Sequence, residues 1–90
     1  MTLNYLKESI EDLINTPNMR PFLFRTRFER NMIRILKYAQ ETNRKELYNL
    51  AEEALGKMRE IVDKSNTTVD GELRSHSLLE NDMKAILNIL

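Results

Sequence analysis

The chain has no cysteine and no tryptophan, a single histidine, and only two glycines and two prolines. Without thiols it can build neither a disulfide framework nor a thiolate zinc site. Two glycines are too few for a phosphate-cradling glycine-rich loop, and no serine sits in the glycine-flanked turn that a hydrolase nucleophile needs. The Glu-x-x-His ligand pattern of di-iron bundles is absent. Its adjacent acidic pairs, Glu11/Asp12 and Glu52/Glu53, diverge by about 100° on a helix and so cannot share a substrate. The expectation is a non-enzyme with no catalytic, cofactor-binding or metal-ligating residues. No apolar run approaches the roughly 18 residues of a membrane span, and no basic segment followed by an apolar core opens the chain. A cytoplasmic protein with no membrane association is therefore expected.

What is present is helical periodicity. Leu3, Leu6, Ile10, Leu13 and Ile14 share one side of a helix over about 2–15, with Thr2 as its N-cap. Thr16-Pro17-Asn18 ends it, because the residue before a proline is pushed out of the α region. Pro21 suits the first turn of a second helix over about 21–41, where Phe24, Phe28, Met32, Ile35, Leu36 and Ala39 form one apolar arc. Asn43-Arg44-Lys45-Glu46 has capping-box spacing and predicts a third helix over about 44–64, although the Thr42-Asn43 junction also permits one continuous rod. Leu47, Leu50, Ala51, Ala54, Leu55, Met58, Ile61 and Val62 supply its core face, with Gly56 a tolerated interior glycine that would allow close helix approach. Ser65 to Gly71 reads as a loop containing an Asn66-Thr67-Thr68 sequon, a match without meaning in a protein that is not secreted. A fourth helix over about 72–90 carries Leu79, Met83, Ile86, Leu87 and Leu90, with Ser77-Leu78-Leu79-Glu80 as a second capping-box pattern, although the helix could begin earlier, near Asp70.

Four amphipathic segments and no credible strand predict an all-α fold, a small bundle of about four helices in a single domain over 1–90. At 90 residues folding buries only about 60 to 65% of the unfolded chain's surface, so completion by self-association is an expectation too.

Zero net charge conceals a segregation. Residues 20–37 hold Arg20, Arg25, Arg27, Arg30, Arg34 and Lys37 against Glu29, a net of +5, and the remainder carries −5. Arg27, Arg30, Arg34 and Lys37, spaced 3, 4 and 3, lie nearly opposite the apolar arc of the second helix. A cationic row one turn apart follows a phosphate backbone by charge and by bidentate guanidinium contact. These six cations are the candidate partner-binding residues, and nucleic acid backbone and an acidic protein surface are the candidate partners. No helix-turn-helix spacing supports base readout, and the acidic helices could fold back over the row.

The remaining candidates have plainer readings. All three phenylalanines fall within seven residues, where helical spacing makes Phe24 and Phe28 core and leaves Phe22 exposed. His76, with Glu72 and Glu80 one turn away on either side, reads as a surface ion pair, the alternative being a divalent-metal site that lacks further ligands. The off-arc Leu23 and Ile33, with Ile86, Leu87, Ile89 and Leu90, would serve a homo-oligomeric structural or adaptor subunit, the alternative to an anion-binding module.

Overall fold

In the computed structural model the backbone is described at residues 2–65 and 69–90, and side chains at 2–20, 22–61 and 76–90. Four helices follow in order, α1 Leu3–Ile14, α2 Pro21–Glu41, α3 Lys45–Ser65 and α4 Val69–Ile89, and no strand occurs among the described residues. The protein is an all-α bundle. A 21-residue helix measures about 32 Å, which fits the long extent of the 38 × 22 × 19 Å body. Helix α2 touches the other three, α4 touches all as well, and α1 and α3 occupy the diagonal that does not meet among the described residues.

The apolar arcs close on a single core. Leu6, Ile10 and Leu13 of α1, Phe28, Met32 and Ile35 of α2, Leu47 of α3, and Leu79, Met83 and Ile86 of α4 are all fully buried. Each such side chain contributes about 1.5–3 kcal/mol relative to exposure. Leu36, Leu50, Ile61 and Leu87 pack against this core from its edge, while the Val62 side chain lies outside the described residues. Ala39, Ala51 and Ala54 are buried with them, and their small size lets the neighbouring helices approach.

Helix starts follow local chemistry. The Thr2 hydroxyl accepts from the Tyr5 amide at 3.2 Å, and Pro21 occupies the first turn of α2. The capping-box expectations fare differently. Asn43 does not cap α3; it sits at φ 57° beyond the end of α2, in the left-handed region that asparagine tolerates better than most residues. From there the Arg44 amide donates to the Ala39 carbonyl at 2.9 Å and the Asn43 amide to the Gln40 carbonyl at 3.4 Å. Those two bonds are a Schellman motif, which stops α2 and excludes the continuous rod. Glu46 remains in the first turn of α3, where the helix dipole favours a negative charge.

Ser77 lies inside α4, not at its start, because helical backbone already begins at Val69 and passes through Gly71. Local turn propensity over 69–71 is a weak preference that a packed 21-residue helix overrides. The sequon at 66–68 lies outside the described residues.

Gly56 has no close-approach role, since nothing lies within 4 Å of the position a Cβ would take. Replacing it with alanine removes only the conformational cost of a helical glycine. Gly56→Ala is expected to stabilise the fold by about 1 kcal/mol in urea unfolding, and a lowered midpoint would show that the space is needed.

Candidate anion-binding face

Helix α2 divides by angle. At about 100° per residue, the buried Phe24, Phe28, Met32 and Ile35 lie on one side, and Leu23, Arg27, Arg30, Arg34 and Lys37 on the other. Arg25 lies about 140° round the helix from Arg30, half-buried, with its guanidinium 5.9 Å from the Phe22 ring centre. The fold therefore separates Arg25 from the cationic row.

The row is only partly engaged. Arg27 meets Asp12 of α1 at 3.7 Å, a long surface pair. Arg34 donates to the Tyr5 hydroxyl at 2.9 Å, and its guanidinium sits 5.5 Å from that ring's centre. Arg20, Arg30 and Lys37 are exposed and have no hydrogen-bond or ion-pair partner among the described residues. Three acidic side chains pair elsewhere: Glu29 with Arg59 of α3 at 3.5 Å, Asp82 with Lys57 at 3.0 Å, and Glu80 with Lys84 at 3.4 Å. Among the described residues, Asp12 is the one acid in an ion pair with the row.

Three of the cations share a cleft. Tyr5, Ser9 and Asp12 of α1 face Arg27, Arg30, Asn31 and Arg34 of α2 across about 270 Å³. Lys37 belongs to the next cleft along, about 220 Å³, which Arg34, Tyr38 and Glu41 also line. A roomier cleft of about 390 Å³ at the α2–α3 turn contains Arg44, whose guanidinium is already committed to the Ile89 carbonyl.

Sequence reasoning passed over Asn31, which is 7% exposed and lies between the apolar and cationic arcs. Its signal was positional, one turn after Arg27 and one turn before Arg34, at the edge of the core.

His76 departs from its expected place. It is buried at 8% exposure, with Nε2 3.0 Å from the Leu13 carbonyl and 3.1 Å from the Ile14 carbonyl, and its ring 5.5 Å from that of Phe24. Both neighbours of Nε2 are acceptors, which assigns it the proton and makes it a donor. A surface ion pair is thereby excluded. As a ligand Nε2 is occupied, Glu80 pairs with Lys84, and the Glu72 side chain lies outside the described residues. No group of three metal-capable side chains occurs among those described.

Of the candidate self-contact residues, Ile86 and Leu90 belong to the core and Leu87 and Ile89 pack against it, whereas Leu23 and Ile33 are exposed at 39% and 49%.

Removing the His76 donor leaves the Ile14 carbonyl without its partner, while the Leu13 carbonyl keeps its bond from the Thr16 amide at 3.4 Å. His76→Phe is expected to cost about 1–3 kcal/mol in chemical unfolding, and His76→Gln, which restores an N–H, to recover part of it. Equal losses in both variants would assign the effect to packing alone. No protein-family model, no curated protein and no solved structure matches this chain, so the reading of its site rests on its own residues.

Proposed function

We propose that this protein is a small non-enzymatic binding module that engages a nucleic acid backbone through the cationic face of α2. The observation that carries this reading is the incomplete neutralisation of the row: Arg20, Arg30 and Lys37 stand exposed without acidic partners among the described residues. Arg27 and Arg34 are held only by a 3.7 Å surface pair and by a neutral tyrosine. Exposed pairs of that kind are worth about 0–1 kcal/mol, so an incoming phosphate displaces them at little cost. Contacts to phosphates carry no sequence information, and binding is accordingly sequence-independent and steeply salt-dependent. A cytoplasmic setting belongs to the same reading, since a nucleic acid backbone is met there. An acidic protein surface is the other partner that fits this charge.

Fluorescence anisotropy with a labelled DNA duplex across a salt series tests it. Binding is expected at low salt, with log K falling linearly against log salt. The double variant Arg30→Glu, Lys37→Glu removes two exposed cations without touching the core, and should reduce that slope by about 2, near 0.9 for each lost phosphate contact. Absence of binding at low salt, or an unchanged slope in the variant, refutes the nucleic acid reading.

A second reading, a homo-oligomeric adaptor, is favoured by one observation: Leu23 and Ile33 are exposed on or beside the same face. Under that reading light scattering at high concentration gives a dimeric or larger mass that Leu23→Glu, Ile33→Glu reduces to the monomer. A monomeric mass in the parent protein eliminates it.

A further inference from the structure

The cleft between α1 and α2 differs from the rest of the cationic face in being built as well as charged. Three guanidiniums, those of Arg27, Arg30 and Arg34, line it against one carboxylate, Asp12. Behind them lies Asn31, 7% exposed as a residue, whose amide has no hydrogen-bond partner among the described residues and opens onto the cleft, where solvent reaches it. Every other arc position at that depth on α2 is apolar or alanine. The polar atoms of Asn31 are thus open to a group that enters the cleft, and an amide N–H beside three guanidiniums suits an anion.

We propose that this cleft seats a single phosphoryl group, an inference that rests on the anion-binding reading above and names the group it holds. The volume fits: about 270 Å³ falls below the roughly 300–1,000 Å³ of pockets for drug-sized ligands. It suits a tetrahedral oxyanion and its waters, or the phosphate of a larger molecule whose remainder stays in solvent. The donor inventory fits as well. Arg34 spends one N–H on the Tyr5 hydroxyl, which leaves four of the five on a guanidinium. Tyr5 accepts that bond and retains its own O–H to donate. Ser9 is already spent, because its hydroxyl donates to the Tyr5 carbonyl at 2.9 Å. Planar guanidiniums match phosphate oxygens two at a time, and the Asn31 amide supplies a neutral donor from the cleft floor. Asp12 opposes the ligand from the rim. It is exposed and only loosely paired, so it weakens binding without blocking entry.

Two-dimensional NMR titration of the full chain with inorganic phosphate, against chloride at equal ionic strength, tests the site. Saturable shifts are expected at Tyr5, Asn31 and Arg34, including the Asn31 side-chain amide. Asn31→Leu should weaken phosphate binding about tenfold or more, as loss of a hydrogen bond to a charged group does, without lowering the unfolding midpoint. Asp12→Asn, an exposed change that leaves the core untouched, should strengthen it. Shifts that do not saturate or that chloride reproduces overturn the proposal, as does unchanged affinity in both variants. A nucleoside 5′-monophosphate and the DNA duplex form the other arms. Competition by the duplex at the same resonances assigns the phosphoryl group to a nucleic acid chain, and occupancy by phosphate or the mononucleotide without duplex competition assigns it to a small free ligand. Phosphate binding without duplex binding keeps the cleft and discards the nucleic acid reading. Duplex binding that depends on Arg30 and Lys37, with no phosphate site, does the reverse.

Discussion

The bundle depends on how its helix C-termini are closed. The last carbonyls of a helix have no partner within it, and α1, α2 and α4 carry no basic side chain in their own last turns. Each is closed by other means. His76 reaches from α4 to the Leu13 and Ile14 carbonyls of α1, and Arg44 from the α2–α3 junction to the Ile89 carbonyl of α4. Local chain closes the rest: the turn at Asn43 ends α2, and in α1 the Thr16 hydroxyl donates to the Asp12 carbonyl at 2.7 Å and its amide to the Leu13 carbonyl at 3.4 Å. Apolar packing tolerates sliding, whereas a buried donor with two fixed acceptors does not. His76 thus pins α1 to α4, and through the Phe24 ring to α2, and this placement of α1 creates the cleft that its Tyr5 and Asp12 share with the arginines.

The same arrangement decides where the charge goes. Glu29 is the one carboxylate within the basic segment, and the fold turns it toward Arg59 of α3, away from the cationic row. Asp82 and Glu80 find lysines on α3 and α4. An exposed pair contributes at most about 1 kcal/mol, so none of this matters greatly to stability. Its effect is on the field: among the described residues these three acidic groups pair away from the row, and Arg20, Arg30 and Lys37 are left facing solvent.

How much of this is legible from the residues depends on the range of the interaction. Thr2 and Pro21 mark their helices because a cap and an N1 proline are decided within four residues. The four apolar arcs are legible for the same reason. Asn43 misleads because Asn-x-x-Glu and a Schellman turn can be written with the same letters, and the choice rests on the Ala39 carbonyl five residues before Arg44. His76 could not be read at all, since its acceptors lie 62 and 63 positions away and its own neighbours along α4 are acidic. The cationic row shows plainly in the spacing of Arg27, Arg30, Arg34 and Lys37. Its depth does not, because Asn31 acquires meaning only when α1 folds across it.

The two functional readings compete for one surface, and symmetry orders them. Leu23 lies on the same arc as Arg27 and Arg34, and Ile33 lies next to Arg30 and Lys37. A two-fold self-contact is isologous, so any patch built on Leu23 and Ile33 would bring the cationic row of one copy against that of the other. At an effective dielectric of about 20, a single like-charge approach to 4 Å opposes association by about 4 kcal/mol. The apolar area of two half-exposed side chains offers little against several such approaches. Self-association through this face is opposed by the row until it is neutralised, which the proposed anion among Arg27, Arg30 and Arg34 would do. Under the proposed reading anion binding would come first, and self-association through this face would follow from it.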